Sequence, residues 1–351
     1  MEQQSSLQRF NQVLLAFLLF FGILYLADSF LILIAISGLF AMLLVPVCRK
    51  LEQWKLPRTG AAFICVFAVV IILLGLISVL ITQIIALAND LPQLGQTLSE
   101  KLDQGHEFVT DQFDLSREEQ NEYLQNQLES TLRSLGGYIS TIMLSTGNFL
   151  VNFIIIITFT LLFLLYRRRI KNFILQLASN RSNNARDIVG KITGVASSYI
   201  AGVFLVVLIL STINTVGLMV IGIEHALFFG LLAGLLNIIP YIGSLAGSLI
   251  PVLFAFLTKD SVWYPVGVGI FFLVVQQIES YALTPNITGS KIKLSPMSTL
   301  MALLLGQMIW GVVGMILFVP YLGIIKVIFD NIEGLKPLGY IVGNDDGDDN
   351  S

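Results

Sequence analysis

NIIPYIGSLAGSLIP, residues 237–251, places Pro240, Gly243, Gly247 and the amide of Asn237 inside one of the most apolar parts of the chain. Helix-breaking and helix-loosening residues are concentrated where a plain hydrophobic helix would avoid them. The surrounding run, 225–257, holds roughly 33 mostly apolar residues, whereas one membrane span needs about 20. It is therefore either one long tilted helix or two shorter pieces joined at the proline. The sequence leaves both open.

The rest of the chain settles the solvent. Of 351 residues, 55% are hydrophobic and only 12% are charged, with a mean hydropathy of +0.82. A soluble domain carries about 25% charged residues, so this composition predicts a membrane protein. A net charge of −3 gives no sign of nucleic-acid binding. Cys48 and Cys65 have no metal-ligand spacing and read as small hydrophobes. The first apolar run lacks the polar exit and cleavage site of a signal peptide, so it is read as mature protein.

Apolar runs at 12–47 (two helices), 60–88, 149–166, 197–222, 225–257, 262–284 and 297–329 predict an all-α, polytopic transmembrane protein of about eight hydrophobic segments. The organisation expected is spans 1–3 over 10–88, an extracytoplasmic helical insert over 89–147, spans 4–8 over 148–333 and a disordered acidic tail over 334–351. Basic residues in 49–58 and 167–191 place those loops in the cytoplasm. The acidic insert then lies outside, with Leu115, Leu124, Leu128, Leu132 and Leu135 mainly at helical steps and Ser116 with Glu119 resembling a capping box. Asp345, Asp346, Asp348 and Asp349 in the tail do not match a calcium-binding loop.

The opening stretch has an echo. A shift of 80 residues aligns Gly234, Pro240, Tyr241 and Gly243 with Gly314, Pro320, Tyr321 and Gly323. A proline frees a backbone carbonyl, and within hydrocarbon such a group must face protein or a polar cavity. Transporters use such breaks to build midplane sites. Pro240 and Pro320 are both expected to interrupt their helices, with Asn237 supplying an amide at the first break. The competing expectation is a kinked packing helix whose glycines allow close helix contact.

Gln276, Gln277 and Glu279 fall within one helical turn near the end of an apolar run, and Pro285 follows. An ionisable group at such a place points to function unless it sits at the membrane rim. Glu224 with His225, and Asp28, read first as turns; Lys326 and Asp330 read as an i,i+4 anchor pair. No nucleotide-binding, hydrolase or zinc motif is present in the sequence, so neither an enzyme nor a cofactor is expected.

Three stretches resemble one family. LFAMLLVPVCRKLEQWKLPRTGAA (39–62), NIIPYIGSLAGSLIPVLFAF (237–256) and the block from Gln276 to Ile328, with Pro285, Gly289, Pro296, Gly306, Gly311, Gly314 and Pro320, are similar to the AI-2E, or PerM-type, bacterial membrane permeases over about residues 10–333. One departure stands out: Ser295 lies where that family commonly has a histidine before proline. The resemblance implies a multi-pass protein of the bacterial inner membrane, in contact with lipids, that assembles as a homo-oligomer. It also implies a secondary transporter exporting a small polar solute by alternating access, or a sodium(lithium)/proton antiporter. A non-transporting scaffold or sensor is the expectation from another class, and it predicts dry, tight packing around both Pro-Tyr-x-Gly motifs. The pathway or helix-break residues singled out are Asn237, Pro240, Tyr241, Gly243, Gln276, Glu279, Pro285, Pro320 and Gly323.

Overall fold

The computed structural model describes residues 6–113, 149–176, 185–239, 242–289 and 294–344. Its helices are α1 (Ser6–Leu26), α2 (Asp28–Gln53), α3 (Arg58–Phe113), α4 (Phe149–Gln176), α5 (Ala185–Ile221), α6 (Ala226–Leu236), α7 (Ile242–Thr258), α8 (Trp263–Ile278), α9 (Pro296–Asn331) and α10 (Lys336–Val342). Among the described residues, six helices are long and apolar enough to cross a membrane, and α6, α7 and part of α1 are shorter apolar helices. The polytopic helical architecture expected from the sequence is present, and the segments 225–257 and 297–329 are each folded back on themselves. Pro240, Tyr241, the leucines expected to line the insert, and Asp345–Asp349 lie outside the described residues. The apolar span Arg58–Leu87 continues as helix α3 through Phe113 without a break at residue 89.

The chain divides into two compact units, and α3, α4 and α5 contribute residues to both. Unit 1 comprises Met1–Val69, Ile154–Val203 and Asn286–Ser351. Its helices are joined through small residues. The fully buried Ser37 of α2 donates to the Leu33 carbonyl and lies 3.1 Å from that of Ile156 on α4, while Thr160 donates back to the Ser37 carbonyl. Hydroxyls in such positions tie helices where lipid gives little hydrophobic drive. Ala35 and Leu39 of α2 pack with Ala196 of α5 and with Leu317 and Ile324 of α9. Cys48 and Cys65 are buried and unbridged.

Helix α9 answers one question left open by the sequence. Its backbone leaves helical values at Trp310 (φ −127°, ψ 16°) and Gly311 (φ 60°, ψ −142°). Residues eight apart in a straight helix are about 12 Å apart. Here a Cβ on Gly306 would meet the Gly314 carbonyl oxygen at 2.4 Å. The segment is a hairpin of limbs 296–309 and 312–331, closed by glycine backbones. Glycine at 311 is required because that positive-φ geometry is strained for other residues. Trp310 pins the turn, donating from Nε1 to the Leu24 carbonyl at 2.8 Å and meeting Phe318 edge to face.

Both ends of α9 are anchored. Ser295 is its N-cap, accepting the Ser298 N–H at 3.1 Å, and Pro296 takes a first-turn position where a missing N–H costs nothing. Beyond the other end, residues 333–342 form a short 3-10 turn and α10. Ser295 N–H donates to the Val342 carbonyl, and Gly339 lies against Asp330. The chain is therefore folded past residue 334, where a disordered tail was expected; glycine at 339 lets α10 pack closely enough to hold it.

Unit 2 comprises Val70–Phe153 and Phe204–Pro285. Helix α6 ends at Leu236 and α7 begins at Ile242, making the second hairpin. A Cβ on Gly243 would meet the Leu236 carbonyl oxygen at 1.8 Å, and one on Gly247 the Ala233 Cα at 2.9 Å. On the other face of α6, Gly234 and Gly230 receive Ser211 and Thr215 of α5. Phe229 and Phe254, with ring centroids 4.7 Å apart, fill the core with Leu218, Val268 and Phe272. Small residues set the helix spacing and aromatic rings fill what remains.

Candidate functional site

The break between α6 and α7 sets the first functional side chain. Asn237 follows the last helical residue, and its own N–H is already used by the Ala233 carbonyl at 3.1 Å. The Asn237 Nδ2 donates to Glu279 Oε1 at 2.7 Å, across 42 residues of chain. Glu279 stands at the point where α8 gives way to a π-helical turn, Glu279–Leu283, followed by a second, Pro285–Gly289. Such wider turns change the direction of side chains and recur at functional sites. The amide–carboxylate bond is charge-assisted, a class worth about 1.5–3 kcal/mol.

Next to this pair lies a cavity of about 30 Å³, bordered by Asn214, Asn237, Ser244, Ser248, Gln276 and Glu279 together with apolar side chains. Gln276 Nε2 approaches Ser244 Oγ at 3.5 Å. Asn214 is 4% exposed, and among the described residues its Oδ1 has no hydrogen-bond donor. A buried acceptor without a donor costs about 1–3 kcal/mol, so this atom is a standing demand for a proton donor or a cation. Sequence reasoning missed Asn214. The signal was present: it is an amide in the middle of a span, one turn after Leu210 and beside the Ser211 and Thr215 that receive α6.

The structure thus brings together Asn237, Gln276 and Glu279, with Gly243 supplying the close backbone approach. Pro285 is exposed and does not border the cavity. Pro320 and Gly323 belong to unit 1, and the expectation that Pro320 interrupts its helix is corrected. The non-helical backbone of α9 is at Trp310 and Gly311, where glycine permits the turn; Pro320 is buried within the 312–331 limb. Beside it, Tyr321 donates its hydroxyl to the Ala35 carbonyl at 2.8 Å.

The remaining polar pairs have structural partners. His225 has left-handed backbone at the start of α6, and its Nε2 is 2.7 Å from Asp90 Oδ2 on α3. Glu224 meets Lys259 at 3.3 Å. Lys326 and Asp330 form the i,i+4 pair expected from the sequence, at 2.6 Å.

The family model described as AI-2E family transporter matches residues 14–334. "Putative transport protein YueF" of Bacillus subtilis (strain 168) is 28% identical over 323 residues, covering 86% of this chain and 84% of the relative. "Putative transport protein YrrI" of the same organism is 27% identical over 304 residues, with 83% of each chain covered. "Putative transport protein YhhT" of Escherichia coli (strain K12) is 25% identical over 323 residues, covering 91% of this chain and 90% of the relative.

Proposed function

The chain belongs to the AI-2E transporter family, and from that premise we propose a secondary transporter whose path passes Asn214, Asn237 and Glu279. The observation that carries the proposal is the Asn237–Glu279 hydrogen bond beside the donor-less Oδ1 of Asn214, at a broken helix. Interrupted helices offer free carbonyls and helix ends to ions and polar groups, and two packings of hairpin against neighbour suit alternating access.

Size and chemistry favour one cargo. A cavity of about 30 Å³ holds a water molecule or a dehydrated monovalent cation, whereas pockets for small molecules run to about 300–1,000 Å³. Carboxylate, amide and hydroxyl oxygens are hard ligands suited to such a cation. Exchange of a monovalent cation for protons is therefore the reading best supported; export of a small polar solute requires the same site to widen. A scaffold with dry motifs is disfavoured, since Asn237 borders this cavity and Tyr321 borders another. The proposal includes a bacterial inner-membrane location and assembly as a homo-oligomer, as the resemblance implies.

The test is flux into proteoliposomes under imposed sodium, lithium or proton gradients. Glu279→Gln keeps the size and removes the charge; gradient-dependent exchange is expected to vanish while the protein still folds. Wild-type exchange by well-folded Glu279→Gln protein would refute the proposal.

A further inference from the structure

Unit 1 contains a much larger cavity, of about 700 Å³, that the transport proposal does not use. Its two ends differ in kind. At one end Arg49 and Glu52 come from the end of α2, and Arg167, Arg168 and Lys171 from α4. Arg167 is paired with Glu52. Among the described residues, Arg49, Arg168 and Lys171 have no acidic partner. Four cations therefore face a single carboxylate that is already engaged. Away from this mouth the lining is mostly apolar, with Ile34, Met42 and Val45 of α2 and Phe163 of α4 beside the hydroxyls of Thr193 and Ser197 of α5.

We propose that this cavity binds one anionic phospholipid, with its phosphate among Arg49, Arg168 and Lys171 and an acyl chain along α2. Three features support that occupant over a free anion. The cationic mouth belongs to the two segments whose charge predicts a cytoplasmic position, where anionic headgroups attract basic residues. The apolar lining from Ile34 to Pro46 runs along α2 for about 18 Å. One leaflet's hydrocarbon is about 15 Å deep, half of a 30 Å core, so the lengths match. A soluble phosphate would leave that apolar volume unfilled.

Gly190 and Gly194 of α5 also line the cavity, and a Cβ at either position would meet no atom within 4 Å. They offer a plug that leaves every charge in place. The full-length protein, stripped of lipid in detergent, is titrated with short-chain phosphatidylglycerol or phosphatidylcholine, and binding is read by native mass spectrometry. One phosphatidylglycerol per chain is expected, at least tenfold tighter than phosphatidylcholine. Arg49→Gln/Arg168→Gln/Lys171→Gln should remove that preference, and Gly194→Leu should weaken binding at least tenfold with the charges intact. Equal binding of the two lipids, undiminished binding by Gly194→Leu, or full displacement by millimolar inorganic phosphate would each overturn the proposal.

Discussion

Pro240-Tyr241-Ile242-Gly243 and Pro320-Tyr321-Leu322-Gly323 are near-copies in sequence, yet the chain treats their surroundings differently. Before the first, the helix ends at Leu236 and the backbone turns from Asn237 onward. Before the second, the helix is unbroken from residue 312 up to Pro320, and the turn has already occurred at Trp310–Gly311. Residues outside the shared string account for this. The counterpart of Gly311 is Leu231, for which positive φ is unfavourable, so α6 continues where α9 turns. The counterpart of Asn237 is Leu317, which is 4% exposed in an apolar cluster, whereas Asn237 reaches Glu279. A repeated motif thus marks a repeated hairpin, but its neighbours decide where the hairpin turns and whether it carries a polar site.

Four substitutions bear on that contrast. The largest effect is expected from Gly306→Val, because its Cβ would meet the Gly314 carbonyl and force the limbs apart. A loss of about 4 kcal/mol is expected, read as collapse of the melting transition in detergent; a native-like Tm would mean the limbs are not in backbone contact. Gly311→Ala keeps the contact but strains the turn, with an expected cost of about 1–3 kcal/mol. An unchanged Tm there would break the assignment of the second turn to that glycine. Asn237→Leu writes the second motif's residue into the first. Flux should fall at least tenfold, about 1.4 kcal/mol of transport barrier, with the protein still folded; full flux would reduce the first motif to packing. The smallest effect belongs to Pro320→Ala, within about 1 kcal/mol in stability and without loss of flux. A tenfold flux loss in that variant would restore Pro320 to the pathway.

What the sequence made legible follows the strength of each physical signal. Long apolar runs predicted the helices, and the improbable Asn237 and Glu279 identified two residues that the fold joins. The turn at Trp310–Gly311 was hidden because glycine is common in packed membrane helices and nothing local separates a packing glycine from a turning one. Its positive φ becomes visible only in coordinates. Asn214 was hidden for the opposite reason: the Ser, Thr and Asn residues around it read as ordinary helix-packing groups, and the missing donor depends on what α6 and α8 bring near. The folded stretch past residue 334 gave no periodic signal, being held by single contacts at Gly339 and Val342.

The shortness of α6 also bears on how the protein is made. Eleven residues of helix extend about 16 Å, roughly half the hydrocarbon thickness, so this helix cannot arrest in the bilayer as an independent segment during synthesis. The backbone at its open end is already capped by the N–H groups of Asn237, Ile238 and Ile239, so what the helix lacks alone is packing: Gly243 and Gly247 of α7 seat against Leu236 and Ala233, and Gly230 and Gly234 against α5. Residues 226–258 are thus expected to insert as one unit against α5, and an arrest of synthesis inside α7 should leave α6 unintegrated in the bilayer.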